Sequence, residues 1–145
     1  IKPNQFEAVG DTATTPGKEI DPARLQRDLE RLHQMNGAPV VATRGRLGMI
    51  VSDPEWTQVP AVEVEGEVDP TGAGDSASAG AVIALCAGAE LPEAAVVGSL
   101  VAAITVKQIG QTGVARPAQL PGRLRLWRRQ VDAAGSGQRV DLPQP

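Results

Sequence analysis

The segment Asp69-Pro70-Thr71-Gly72-Ala73-Gly74-Asp75 concentrates more chemistry than any other part of this chain. A glycine-rich turn follows a valine-rich stretch and runs directly into an apolar segment of helical length. Glycines admit backbone conformations that other residues avoid, and they let the main chain approach a ligand closely. Unpaired N–H groups at a helix start, together with the positive end of the helix dipole, form an anion site, and phosphate is the natural guest. Asp75 is the odd member, because its charge repels such a guest. One reason to place it there is general-base catalysis, in which its carboxylate takes the proton of a hydroxyl that attacks phosphorus. The other reason is capping, since aspartate is favoured at helix starts. The loop alone leaves both open. It is not a Walker A loop, because no Lys-Ser or Lys-Thr follows the last glycine.

The elements that must position this loop alternate in the α/β manner. A strand ends near Ile1, a short helix spans 5–9, and a polar loop runs through Gly17. Asp21-Pro22 reads as an N-cap with proline at the first helical position. The helix that follows carries Leu25, Leu29 and Leu32 on one stripe and ends at Gly37. Strands are predicted at 39–43, 49–51 and 59–64, with Asp53-Pro54 as a turn. After the loop come helices at about 76–87, stopped by Gly88, and about 92–107. Both are apolar nearly all round and are expected to be buried. A last helix near 123–131 sets Leu120, Leu124, Trp127 and Val131 on one side. Residues 132–145, rich in Gly, Pro and Gln, read as a disordered tail after a single domain at 1–131.

Asp-x-Thr-Gly-Ala-Gly-Asp at 69–75, the Ala/Gly-rich helix, Leu91-Pro92-Glu93-Ala94 and a second buried helix together resemble the C-terminal signature of the ribokinase-like (PfkB-type) carbohydrate kinases. Two upstream elements stand in the right order. Lys2-Pro3-Asn4-Gln5-Phe6-Glu7 is similar to the family's Pro-Asn-x-x-Glu element, and Thr43-Arg44-Gly45-Arg46-Leu47-Gly48 to its Thr-x-Gly-x-x-Gly nucleotide loop. The resemblance covers residues 1 to about 119. It implies the C-terminal half of a three-layer α/β fold, with a mostly parallel sheet and helices on both faces. It also implies ATP-dependent phosphorylation of a sugar or sugar-phosphate hydroxyl. Carried over, Asp75 matches the catalytic base, and the N–H groups of Gly72, Ala73, Gly74 and Asp75 the anion hole for the γ-phosphoryl group. Asn4 and Glu7 match magnesium organisers acting through water. Thr43, Gly45 and Gly48 line the nucleotide, and Ser99 lies near the adenine or ribose. Asp69 and Thr71, with carbonyls of Thr105, Gln108, Gly110 and Val114, match a potassium site.

Pro70 replaces a more usual Thr or Val, stiffening the turn. Ala77 stands where Phe is common, which is expected to thin the packing under its helix. Thr43-Arg44-Gly45 and the Asn-Gln-Phe-Glu element lean toward the heptose-phosphate kinase branch. The start, Ile1-Lys2-Pro3-Asn4 without Met, reads as a cut at the end of a buried strand. The chain is therefore expected to be a fragment, inactive alone, without the family's sugar-binding half and lid. Kinases of the same fold that act on nucleosides or vitamin precursors form the nearest rival reading. A non-catalytic nucleotide-binding module is the rival from another class.

The remaining residues support duller roles. His33, the single histidine, is expected on the polar side of its helix, with no second ligand for a metal. Cys86, the single cysteine, is expected deep in an apolar helix and inert, and no internal disulfide can form. Arg123, Arg125, Arg128 and Arg129 read as a solvated helix face, with Trp127 as that helix's anchor. Arg44 and Arg46 flank the nucleotide loop and are read either as phosphate contacts or as exposed surface. Fourteen basic residues against 17 acidic ones give a net charge of −3, which speaks against a nucleic-acid or anionic-membrane partner. The expected setting is cytoplasmic, with a sugar and ATP as partners and a homodimer in the longer protein.

Overall fold

The computed structural model describes residues 1–11 and 20–134. The polar loop expected before Gly17 and most of the expected tail lie outside the described residues. Helix α1 (Gln5–Ala8) and helix α2 (Pro22–Asn36) come first. The α2 boundaries follow from local chemistry. The Asp21 carboxylate accepts the Arg24 N–H at 2.8 Å, Pro22 opens the helix, and Gly37 closes it at φ 62°, ψ 21°. Leu25 and Leu29 on its inner stripe are fully buried, and Leu32 packs beside them.

Strands β1 (Val41–Thr43), β2 (Met49–Val51) and β3 (Thr57–Val59) form a sheet in that order. Both pairings are antiparallel, with Val41 opposite Val51 and Met49 opposite Val59. The expected mostly parallel sheet is thus not what these three strands make. Residues 44–48 and 52–56 are the only connections, too short for the crossover that a parallel pair demands. Among the described residues, parallel pairing occurs at one place. The N-terminal segment runs alongside β1, where Val41 N–H donates to the Ile1 carbonyl (2.9 Å) and Thr43 N–H to that of Pro3 (3.0 Å). The strand expected over 59–64 stops at Val59, because Pro60 has no N–H to donate to a ladder.

Side chains of the sheet alternate between two cores. Val40, Ala42 and Ile50 pack with α1 and α2, while Met49, Val51 and Val59 pack with the later helices. Those are α3 (Ala73–Cys86), α4 (Leu91–Thr105) and α5 (Leu120–Ala133). Helix α5 therefore extends past residue 131, where the tail was expected to begin. Its anchor is Trp127, 2% exposed, whose indole N–H donates to the Pro60 carbonyl at 2.9 Å. Arg125 and Arg129 lie exposed on the outer face, and Arg123 and Arg128 are half-buried.

Helices α3 and α4 approach closely through small residues. A Cβ placed on Gly98 would stand 2.6 Å from the Ala77 carbonyl oxygen, and one on Gly80 2.8 Å from a Val101 methyl. Ala77 is itself buried, so the small side chain permits a tight crossing where thinned packing was expected. Helix α4 is buried along most of its length, as its composition requires. Helix α3 is not. Only its Ala77–Gly80–Ala84 stripe is covered, while Val82, Ile83, Leu85 and Cys86 are exposed, which overturns the expected burial of Cys86.

Candidate active site

The glycine-rich loop enters α3 through Gly72, which takes the capping position in the left-handed conformation (φ 72°, ψ 3°) with no side chain capping the helix. Asp75 lies a full turn position inside, so the capping reading falls to Gly72. Its carboxylate is exposed and forms no hydrogen bond or ion pair among the described residues. The N–H groups of Gly72, Gly74 and Asp75 are likewise without acceptors. Ala73 departs from expectation, because its N–H is committed to the Pro70 carbonyl at 3.0 Å, and three loop amides rather than four stand open.

Lys2 joins this loop, a contact that sequence reasoning missed. Its ammonium lies 3.6 Å from the point where a Cβ on Gly74 would stand. Three unpaired N–H groups, a helix N-terminus and one ammonium make an electropositive rim around an unpaired carboxylate. The only signal in the sequence was a lysine directly before Pro-Asn, some seventy positions from the loop.

Asn4 and Glu7 are bound to each other through the backbone. The Asn4 side-chain oxygen accepts the N–H groups of Phe6 (2.9 Å) and Glu7 (3.0 Å), and the Glu7 carboxylate accepts the Asn4 N–H at 2.7 Å. This capping box gives the pair a structural role and holds both side chains in fixed positions at the start of α1. The Glu7 carboxylate is exposed, with acceptor capacity to spare. No group of three or more His, Cys, Asp or Glu side chains able to hold a metal occurs among the described residues. Two oxygen-bearing side chains of this kind fit magnesium, which keeps much of its water shell, and do not fit zinc.

Thr43 ends β1 and pairs with Asn4 across the parallel bridge, so the loop after β1 and the Asn4–Glu7 element are neighbours. Beyond it, residues Gly45–Leu47 form one tight helical turn, closed by the Arg44 N–H donating to the Gly48 carbonyl at 2.8 Å. Gly45 is exposed with φ 56°, but Gly48 is buried at φ 84°, ψ −134°. A Cβ on Gly48 would fall 2.0 Å from the Val59 carbonyl oxygen. Gly48 thus packs the loop against β3 and offers no open lining. The Arg44 Nε is buried beside this loop without a partner among the described residues, while Arg46 is exposed. Ser99 does not join the exposed set, lying 6% exposed on α4. His33 is half-buried with its ring edge-on to Trp56, centroids 5.9 Å apart.

Behind the loop, Asp69 ties two segments together. Its carboxylate accepts the N–H groups of Thr71 (2.9 Å) and Gly110 (3.4 Å), and its own N–H donates to the Val106 carbonyl at 2.8 Å. The Thr71 hydroxyl, then the Thr71 and Gly110 amides, hold the Asp69 carboxyl below its ordinary pKa against a small opposing desolvation. The group therefore stays ionised through the neutral range. The Gln108 side chain spans the following loop, donating to the Val114 carbonyl (2.8 Å) and accepting its N–H (3.0 Å). The Thr105 carbonyl accepts the Gln108 N–H at 2.9 Å. Of the four carbonyls expected around a potassium ion, those of Thr105 and Val114 thus already take one hydrogen bond each. Asp69 and carbonyl oxygens are hard donors of the type a monovalent cation accepts.

The family model described as "pfkB family carbohydrate kinase" matches residues 1–118. Inositol 3-kinase of Arabidopsis thaliana is 43% identical over 89 residues, covering 60% of this chain and 24% of that protein. Bifunctional protein HldE of Shewanella amazonensis is 34% identical over 120 residues, covering 80% of this chain and 24% of its own length. The chain thus spans about a quarter of the curated relatives it matches. Among solved structures, ribokinase from Thermotoga maritima aligns with a TM-score of 0.70 at 23% identity, over 86% of this chain and 41% of that one.

Proposed function

The chain belongs to the pfkB family of carbohydrate kinases, and from that premise we propose that it supplies the phosphoryl-transfer side of an ATP-dependent kinase acting on a sugar or sugar-phosphate hydroxyl. One observation carries the reading: among the described residues, an exposed Asp75 carboxylate without a partner stands among three loop amides that have no acceptor. In this reading Asp75 takes the proton of the acceptor hydroxyl as its oxygen attacks the γ-phosphorus and the bond to the ADP oxygen breaks. The amides of Gly72, Gly74 and Asp75 hold the equatorial oxygens, and Lys2 offsets the charge they carry. Asn4 and Glu7 would hold magnesium through its water shell, and the ion would supply neutralisation of the phosphate charge. Thr43 and Gly45 face the nucleotide, which places catalysis at the junction of β1, α1 and α3. A cytoplasmic location, where ATP is abundant, belongs to the same proposal.

The test is γ-phosphoryl transfer from ATP by the longest natural polypeptide carrying this chain, offered heptose phosphate, inositol, ribose and adenosine as acceptors. Transfer to a polyhydroxylated ring supports the reading, transfer to adenosine alone moves it to the nucleoside branch, and tight ATP binding without transfer to any acceptor rejects it for a binding module.

Lys2→Met in that polypeptide should lower kcat by about tenfold or more, with a smaller effect on the affinity for ATP. An unchanged kcat removes the ammonium from the transfer step. Potassium is tested by assaying in buffer free of sodium and potassium. Activity should rise when potassium is restored, because a cation at Asp69 fixes the turn that carries the loop amides. A flat response dismisses the site.

A further inference from the structure

A cavity of about 380 Å³ lies where the end of α4 meets the start of α5. Its polar lining is Lys107, Arg116, Arg123, Gln108 and Gln119, with the buried Ile104 as an apolar wall. Three cations line it and no carboxylate does. The chain as a whole has the opposite balance, 14 basic residues to 17 acidic ones, so this is a local excess of positive charge. Asp75, Lys2 and the loop amides are not part of it.

Nothing among the described residues neutralises the excess. Neither Arg116 nor Arg123 forms an ion pair there. The Lys107 ammonium donates to the carbonyls of Glu65 (2.8 Å) and Glu67 (3.3 Å), which fix its position and leave its charge in place. A neighbouring hollow shares Lys107 and Arg123 and is lined by Glu63 and Glu65 as well, yet both glutamates are exposed and neither pairs with a cation. Cations held together without an anion repel one another, and an anionic guest relieves that repulsion.

The lining is also braced before any guest arrives. The Gln108 side chain is clamped to the Val114 backbone by hydrogen bonds of 2.8 and 3.0 Å, and Val114 lines the cavity too. The Gln119 Oε1 accepts the Arg116 N–H at 2.7 Å, which ties the segment carrying one arginine to the start of α5. Such bracing lowers the ordering cost of binding. Guanidinium groups suit phosphate oxygens, which they meet in a bidentate fork. The volume falls within the range of small-molecule sites, roughly 300–1,000 Å³, and is about ten times the ~30 Å³ share of one water. A free phosphate ion fills only part of such a space.

We propose that this cavity binds a phosphate monoester of sugar size, its phosphate held by Arg116, Arg123 and Lys107 and its hydroxyls by the Gln119 amide. The inference stands on the cavity and does not depend on the proposed reaction.

The test is calorimetric titration of the longest natural polypeptide carrying this chain, without ATP and at constant ionic strength, with ribose 5-phosphate, glucose 6-phosphate and inorganic phosphate as probes. At least one ester should bind more tightly than inorganic phosphate. Arg116→Gln and Arg123→Gln should each weaken that ester by about tenfold or more. Arg125→Gln removes the same charge from the exposed face of α5 and should leave it unchanged. Equal affinities for the esters and inorganic phosphate overturn the assignment to an ester, and no binding of either ester overturns the site. Binding that Lys2→Met weakens and the Arg116 and Arg123 variants leave intact overturns it by placing the probe at the glycine-rich loop. A melting temperature lowered by Arg123→Gln without any probe, with ester binding kept in both variants, overturns it by giving that arginine to Glu63 and Glu65.

Discussion

Asp75→Asn should lower kcat for phosphoryl transfer by roughly 10²–10⁴-fold, the range typical for loss of a positioned general base. Affinity for ATP should be kept or raised, because the substitution removes a negative charge from beside the phosphates while leaving the loop amides in place. The structure gives reason to expect a folded variant. The carboxylate caps nothing, pairs with nothing among the described residues and is exposed, so an amide of the same shape meets no new contact there. A capping aspartate would behave differently, since its replacement costs about 1 kcal/mol of stability and leaves chemistry alone. The two measurements therefore separate the two roles. A melting temperature that drops while kcat holds returns Asp75 to a structural part, and near-normal turnover removes it as base.

The loop geometry was legible because its signals are local. Gly72 at positive φ, the Asp21–Pro22 helix start and the Gly37 stop are each set by residues within one turn of chain. Asn4 and Glu7 were legible as a pair for the same reason, and their capping box adds that the spacing serves the helix as well as any metal. What the sequence hid is non-local. Lys2 reaches the Gly74 turn only because the N-terminal segment lies alongside β1, and no local pattern reports that pairing. The Ala73 amide was lost to a four-residue turn, Pro70 to Ala73, which a count of glycines does not reveal. The antiparallel pairing of β1, β2 and β3 went unread even though the clue was present, since the connections at 44–48 and 52–56 have hairpin length. The burial of Cys86 failed on a subtler point. An all-apolar composition favours cover on several sides, but it does not say which faces of the helix are covered, and among the described residues only the Ala77–Gly80–Ala84 stripe of α3 is buried.

Gly48 shows how a motif residue can carry the fold at the place where it is expected to touch a ligand. Its conformation, φ 84° with ψ −134°, is one that only glycine adopts without strain. A methyl group there would lie 2.0 Å from the Val59 carbonyl oxygen and 2.6 Å from the Ala61 nitrogen, both rigid backbone atoms that cannot turn aside. Backbone strain and overpacking together put the cost of Gly48→Ala at roughly 4 kcal/mol. For a domain of this size that lowers the melting temperature by roughly 10 °C. Gly45→Ala is the matched control. It also has positive φ, but nothing stands within 4 Å of the added carbon, and its cost should be about 1 kcal/mol. Thermal melts without nucleotide decide the matter. If Gly48 only lined the nucleotide, its alanine variant would melt like the parent and lose ATP affinity. The packing predicts a large loss of stability before any nucleotide is added, with Gly45→Ala well behind it. Equal melting temperatures for the two variants would show that the loop can shift away from β3, and the close approach would then no longer explain why a glycine stands at position 48.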